Sequence, residues 1–120
     1  KFHGYVKNQE KINHYLNNDI FLFPTEYGEG LPVSILEAMY FGLPIITRYA
    51  GGIEDWVKND KNGFITKEKD PIYFKNLITK VMEDKDKFSD FSKTNIKIAN
   101  ENFIKQSITD NLFSIYKELI

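Results

Sequence analysis

Glu29 and Glu37 have seven residues between them, in the stretch Pro24-Thr25-Glu26-Tyr27-Gly28-Glu29-Gly30-Leu31-Pro32-Val33-Ser34-Ile35-Leu36-Glu37-Ala38-Met39. The stretch follows an apolar run and reads as strand, glycine turn and helix. Pro32 suits the first helical position, where its missing N–H costs nothing. The first amides of a helix lack intrahelical partners, and with the dipole they favour an anion. Gly30, Leu31 and Val33 can offer such amides; Pro32 cannot. With the helix starting near Leu31, the two carboxylates stand on the order of 10 Å apart. That suits two ends of an extended ligand, although glycosidase pairs at roughly 5–10 Å are not excluded by spacing alone. An anion at the helix tip, with carboxylates to take hydroxyls on either side, is the chemistry of a nucleotide-sugar site.

Helix geometry sharpens the role of Glu37. Ile35, Leu36 and Met39 form the expected core-facing stripe, and Glu37 sits off it with Val33 and Phe41 one turn away on either side. Apolar neighbours at those offsets place the carboxylate in a semi-enclosed cleft, where it can accept two hydrogen bonds from vicinal ribose hydroxyls. A plainer reading stands beside this one. A glutamate near a helix N-terminus is favoured by the dipole whatever its function, and one inside a helix is commonly a solvated face residue.

The elements that must position these residues follow from the pattern. Phe2–Val6 reads as a short strand, residues 9–16 as a helix with Ile12, Tyr15 and Leu16 on one face, and Ile20–Phe23 as a strand covered on both sides. Gly42 ends the motif helix and Pro44 blocks its continuation. Residues 43–47 form the next strand, Gly51-Gly52 turns into a short helix over 53–58, and 63–66 is another strand. Asp70-Pro71 opens a helix to about Glu83 that buries Ile72, Leu77, Ile78, Val81 and Met82. A charged break over 84–89, a helix over 88–100 and a last one over 103–120 complete the chain. That last helix carries Ile108, Leu112, Ile115, Tyr116 and Leu119 on one face, an apolar strip expected to be exposed or covered by self-association. Strands alternating with helices argue an α/β fold with a partial, Rossmann-like parallel sheet.

Composition bounds the rest. The chain has 120 residues, the size of one domain, and its 42% apolar content is enough for a core. A formal net charge of −1 gives no global field for nucleic acid or anionic membrane, so an anionic ligand must be held locally. There is no cysteine, hence no disulfide framework and no thiolate metal site. His3 and His14 share no metal-ligand spacing and read as structural. Trp56 reads as packing the short helix onto the sheet. Arg48 and Tyr49 border the glycine turn and read as surface residues or cleft neighbours. No Ser-His-Asp arrangement and no phosphate-binding glycine loop of the P-loop type occurs.

The series Glu29 to Met39, Gly42-Leu43-Pro44-Ile45-Ile46, Gly51-Gly52-Ile53-Glu54-Asp55 and Asn62-Gly63-Phe64, with Phe2-His3-Gly4-Tyr5-Val6 at the start, resembles the donor-binding C-terminal half of GT-B retaining glycosyltransferases. The likeness is to glycosyltransferase family 4, the group 1 transferases. It covers the whole chain and is most specific over residues 20–66. The resemblance implies that residues 1–120 are a C-terminal nucleotide-sugar-binding domain truncated at its N-terminus. It implies that Glu29 contacts the donor sugar at the reacting centre, that Glu37 holds the ribose, and that amides of Gly30, Leu31 and Val33 contact sugar or diphosphate. It implies transfer without a metal or other cofactor, to a glycan or lipid-linked acceptor bound by a separate N-terminal domain, in cell-surface polysaccharide synthesis. A cytoplasmic enzyme, peripheral to the inner face of the membrane, is the expected setting, with the isolated domain inactive. Gly30-Leu31-Pro32 departs from the family's usual Gly-Phe-Gly and removes one amide. The competing expectation is a non-catalytic α/β module that binds a nucleotide or a protein partner.

Overall fold

The computed structural model describes residues 1–28 and 30–119. Among them three parallel strands form one sheet in the order β1 (Phe21–Phe23), β2 (Ile45–Arg48), β3 (Gly63–Thr66). Phe21 pairs with Ile45, and Ile45 with Gly63, so the three strands are in step. The helices are α1 (Asn8–Leu16), α2 (Val33–Tyr40), α3 (Ile53–Trp56), α4 (Pro71–Glu83), α5 (Lys85–Asn102) and α6 (Lys105–Leu119). Each crossover between parallel neighbours contains a helix, as parallel pairing requires. The expected α/β class and parallel sheet are both present.

The period-2 alternation of the strands divides the core into two layers. Ile45 and Ile65 face one side, where they pack with Ile35 and Met39 of α2, Ile53 of α3 and Ala99 of α5. Ile46 and Phe64 face the other, against Phe74 and Val81 of α4 and Phe91 of α5. Helix α5 therefore serves both layers. It is held by Asn95, whose side-chain amide donates to the carbonyls of Leu43 (2.9 Å) and Asn62 (2.9 Å) and whose Oδ1 accepts from Asn62 (3.0 Å). Both asparagines are fully buried, and this network satisfies them just where β2 and β3 begin.

Gly63 is required by contact. A Cβ there would lie 2.0 Å from the Ile45 carbonyl oxygen. Gly42, at φ +73°, closes α2 in the left-handed conformation expected of its position.

Several expectations are corrected. Phe2–Val6 is not a strand: Phe2 is 95% and Tyr5 87% exposed, and among the described residues no strand pairs with them. The first strand of the sheet is covered less than expected, because β1 is an edge strand and Leu22 is exposed. Pro32 is the residue before the helix rather than its first, with extended ψ of 131°. In α4, Ile72 (65% exposed) and Met82 (51%) point outward; Phe74 and Val81 are the buried pair. The charged break after α4 is a single residue, Asp84, because its carboxylate caps the Lys87 amide at 2.9 Å and starts α5 at once. Trp56 packs, as expected, against the layer that includes Ile45 and Ile65 of the sheet, and it also meets Phe103 edge-on at the end of α5, with ring centroids 4.6 Å apart. In α1 no residue is fully buried and Leu16 is exposed; of the stripe expected there, Tyr15 packs, stacked 5.2 Å from Phe41. The apolar strip on α6 is exposed at Ile108, Leu112, Ile115 and Tyr116, while the Leu119 side chain and Ile120 lie outside the described residues.

The strand contact yields a stability prediction. Gly63→Ala should destabilise the chain by about 3 kcal/mol or prevent folding, because β2 and β3 must separate to admit a methyl group. Gly28→Ala, with no atom within 4 Å of its Cβ position, should fall within about 0.5 kcal/mol of wild type. Urea unfolding of the two variants side by side measures the contrast.

Candidate functional site

The C-terminal ends of parallel strands, where open α/β sheets place ligands, carry the β1–α2 loop and the β2–α3 turn. These two are fastened together. The Gly52 amide donates to the Gly30 carbonyl at 3.2 Å, and the turn is allowed by Gly51 at φ +53°. Beneath them, the buried Thr47 hydroxyl donates to the Phe23 carbonyl at 2.7 Å. Arg48 braces the same edge. Its guanidinium donates to the carbonyls of Glu68 (2.8 Å), Lys67 (3.1 Å) and Thr25 (3.3 Å), and it lies 3.4 Å from the Glu26 carboxylate. Arg48 is thus neither surface decoration nor a free cleft cation; it is committed to loop backbone.

Helix α2 points its N-terminus into this edge. No side chain caps it among the described residues, and Pro32 contributes no amide. Gly30 and Val33 are exposed, and Leu31 and Pro32 are half-buried, so the tip opens to solvent rather than into packing. The Ile35 and Leu36 amides are taken by the Pro32 carbonyl. The expected anion-accepting amides at Gly30, Leu31 and Val33 therefore lie at an open helix end. Glu29 lies outside the described residues. Its neighbours Gly28 and Gly30 have open space where a side chain would project.

Glu37 lines a cleft of about 250 Å³ together with Val33 and Phe41 of the same helix and Phe103 and Ile104 beyond α5. The expected semi-enclosed setting is present, but its walls are almost wholly apolar. Such a lining offers an anion few donors.

The carboxylate itself is gripped from α1. Lys11 Nζ lies 2.6 Å from Oε1, and the Tyr15 hydroxyl donates to Oε2 at 2.9 Å. The hydroxyl also lies 3.4 Å from the Ser34 carbonyl. Each carboxylate oxygen has about two acceptor sites, so one on each remains after these bonds. Glu37 is oriented and still able to receive two donors side by side. Burial first, then the hydrogen bond to Glu37 and its charge, push the Tyr15 phenol far above its ordinary range. Tyr15 therefore remains a donor at any pH where the protein is used.

Lys11 and Tyr15 were not legible as site residues. Tyr15 reads as one of an apolar stripe. The available signal was that Lys11 and Tyr15 are four apart and share a helix face.

The pH consequence has a definite sign. The folded-state value for Tyr15 lies above its unfolded one, so its contribution to stability is complete below about pH 10. It is lost as pH rises above that, when the unfolded chain ionises and the folded one resists. In an alkaline titration followed by tyrosinate absorbance, a step assignable to Tyr15 should lag well above the ordinary tyrosine range until the chain unfolds. Tyr15→Phe should remove the lagging step; its persistence would assign the shift elsewhere.

The sequence model of the family described as "Glycosyl transferases group 1" matches residues 1–98. Spore coat protein SA of Bacillus subtilis is 30% identical over 118 residues, covering 98% of this chain and 31% of that protein. The putative colanic acid biosynthesis glycosyltransferase WcaL of Escherichia coli is 29% identical over 107 residues, covering 84% of this chain and 26% of that one. The crystal structure of HepE from Anabaena in complex with UDP-glucose superimposes with a TM-score of 0.71 at 28% identity, over 84% of this chain and 29% of that one. The chain thus spans about a third or less of the length of these relatives. On the match over residues 1–98, the chain belongs to the group 1 glycosyl transferase family.

Proposed function

We propose that this chain is the nucleotide-sugar-binding part of a retaining glycosyltransferase of GT-B architecture, corresponding to its C-terminal half. The observation that carries the reading is the pairing of an open, uncapped α2 tip with a pre-oriented Glu37 one turn further along the same helix. The diphosphate takes the amides of Gly30, Leu31 and Val33, where the helix dipole favours its charge. The ribose diol donates to the two acceptor sites that Lys11 and Tyr15 leave vacant on Glu37. Lys11 pairs with one oxygen of that carboxylate and Tyr15 fixes its plane, so little side-chain entropy is lost when the diol binds. Glu29, between Gly28 and Gly30 in sequence, addresses the donor sugar at the reacting centre. Charge on the departing diphosphate is met by the helix end and by basic groups, and no metal or other cofactor takes part in the transfer.

The solved relative with UDP-glucose bound supports a uridine nucleotide as the first donor to try. The relative named for colanic acid biosynthesis supports an acceptor in polysaccharide assembly, a glycan or a lipid-linked sugar held by a separate N-terminal domain. Such an enzyme works in the cytoplasm at the inner face of the membrane. No described helix is long and apolar enough to cross a bilayer. The exposed strip on α6 is where the domain would meet other protein surface, including another copy of itself.

The test separates the two glutamates. In the full-length protein, calorimetry with UDP-, GDP- and ADP-sugars should find one preferred donor. Glu37→Ala should weaken nucleotide affinity about tenfold or more, equivalent to about 1.4 kcal/mol. Glu29→Ala should lower kcat by a much larger factor while nucleotide Kd changes little. Wild-type nucleotide affinity in Glu37→Ala would remove the ribose role, and near-normal turnover in Glu29→Ala would remove that residue from the reacting centre.

A further inference from the structure

The two histidines of the chain meet in space. His3 and His14 stand edge-on with ring centroids 4.4 Å apart, and Glu10 joins them. One ligand atom from each of the three lies within 4.8 Å of the others. Glu10 and His14 are four apart on α1 and share a face, the spacing at which helical side chains reach a common ion. His3 arrives from the segment before the helix, next to Gly4 at φ +71°. Among the described residues, none of the three side chains is committed to another hydrogen bond or ion pair. From these observations we propose that His3, Glu10 and His14 bind a divalent transition-metal ion that clips residues 1–7 to α1.

The donor set decides the class of ion. Two imidazole nitrogens and one carboxylate oxygen suit zinc, copper(II) or nickel(II); magnesium and calcium require oxygen ligands throughout. Bonds of about 2.0–2.1 Å in a tetrahedral site place ligand atoms roughly 3.3 Å apart. The present separation closes to that by small rotations of side chains, and His3 and Glu10 are exposed and free of packing that would oppose them. A fourth position remains for water. The chain has no cysteine to compete for a soft ion.

The consequence reaches the donor site through α1. Glu10 and His14 each precede by one residue the pair that grips Glu37, about 100° around the helix. An ion at His3 would steady a helix with no fully buried residue. The transfer chemistry does not use this ion; its role is to hold the support of Glu37.

The experiment is a calorimetric titration of the tag-free chain with zinc chloride, with magnesium chloride as control, alongside backbone hydrogen exchange. One zinc ion per chain should bind, unaffected by excess magnesium. His3→Ala and His14→Ala should each weaken it about tenfold or more, and Glu10→Gln by a smaller factor. Zinc should slow exchange of the amides of residues 2–7 in wild type and not in His3→Ala. All substituted side chains lie at least partly at the surface, so the variants remain folded. The absence of zinc binding, or His3→Ala binding zinc as wild type does, would overturn the proposal. Wild-type binding in both histidine variants would assign any bound zinc to scattered surface carboxylates.

Discussion

A methyl group at position 63 would sit 2.0 Å from the Ile45 carbonyl oxygen, so β2 and β3 pair in their observed register only over a glycine. Much else follows from that close approach. It holds β3 in register against β2, and because β1 also pairs in step with β2, the C-terminal ends of the three strands share one edge. The loops leaving those ends then lie side by side, near enough for Gly52 to bond Gly30 and for Arg48 to collect carbonyls from residues 25, 67 and 68. The α2 tip is open because this bracing holds the loops without drawing them over it. At the opposite end, Asn62 and Asn95 lock α5 across the strand starts, and the two core layers are completed by one helix.

The second constraint is electrostatic and local. With a net charge of −1, the chain has no long-range field to gather an anion. What attraction it has comes from a helix end and from individual cations. Arg48 is occupied by loop backbone and Lys11 by Glu37. The exposed tip of α2 is the feature at this edge that no side chain caps among the described residues. Lys11 and Tyr15 act on Glu37 in different ways. The lysine contributes charge at a half-exposed position, which solvent screens. The tyrosine contributes direction, and its stacking on Phe41 fixes where the hydroxyl points.

Local chemistry was largely legible in the sequence. Asp70-Pro71 starts a helix and Gly42 ends one because capping and left-handed backbone are properties of a few adjacent residues. The strand at Gly63–Thr66 and the placement of Glu37 beside Val33 in a cleft were readable for the same reason. Contacts between distant segments were not. Phe2–Val6 has the composition of a strand, and among the described residues no strand pairs with it. Ile72 and Met82 fit an apolar stripe, but α4 rests on Phe74 and Val81 because the sheet meets it at that angle. Glu10 and His14 share a helix face by their spacing, but nothing in the sequence announces that His3 joins them or that Lys11 reaches Glu37. Arg48 was read from its position in a turn, whereas its role depends on loops some twenty residues away on either side.

The central claim is that one helix end and one oriented carboxylate together hold a nucleotide-sugar. A crystal structure of the full-length protein with a bound UDP-sugar tests it most directly. The account predicts ribose hydroxyls on both oxygens of Glu37, with Lys11 and Tyr15 still in place, and diphosphate oxygens on the amides from Gly30 to Val33. A nucleotide seated elsewhere, with Glu37 still bonded to Lys11 and Tyr15 alone, would contradict it.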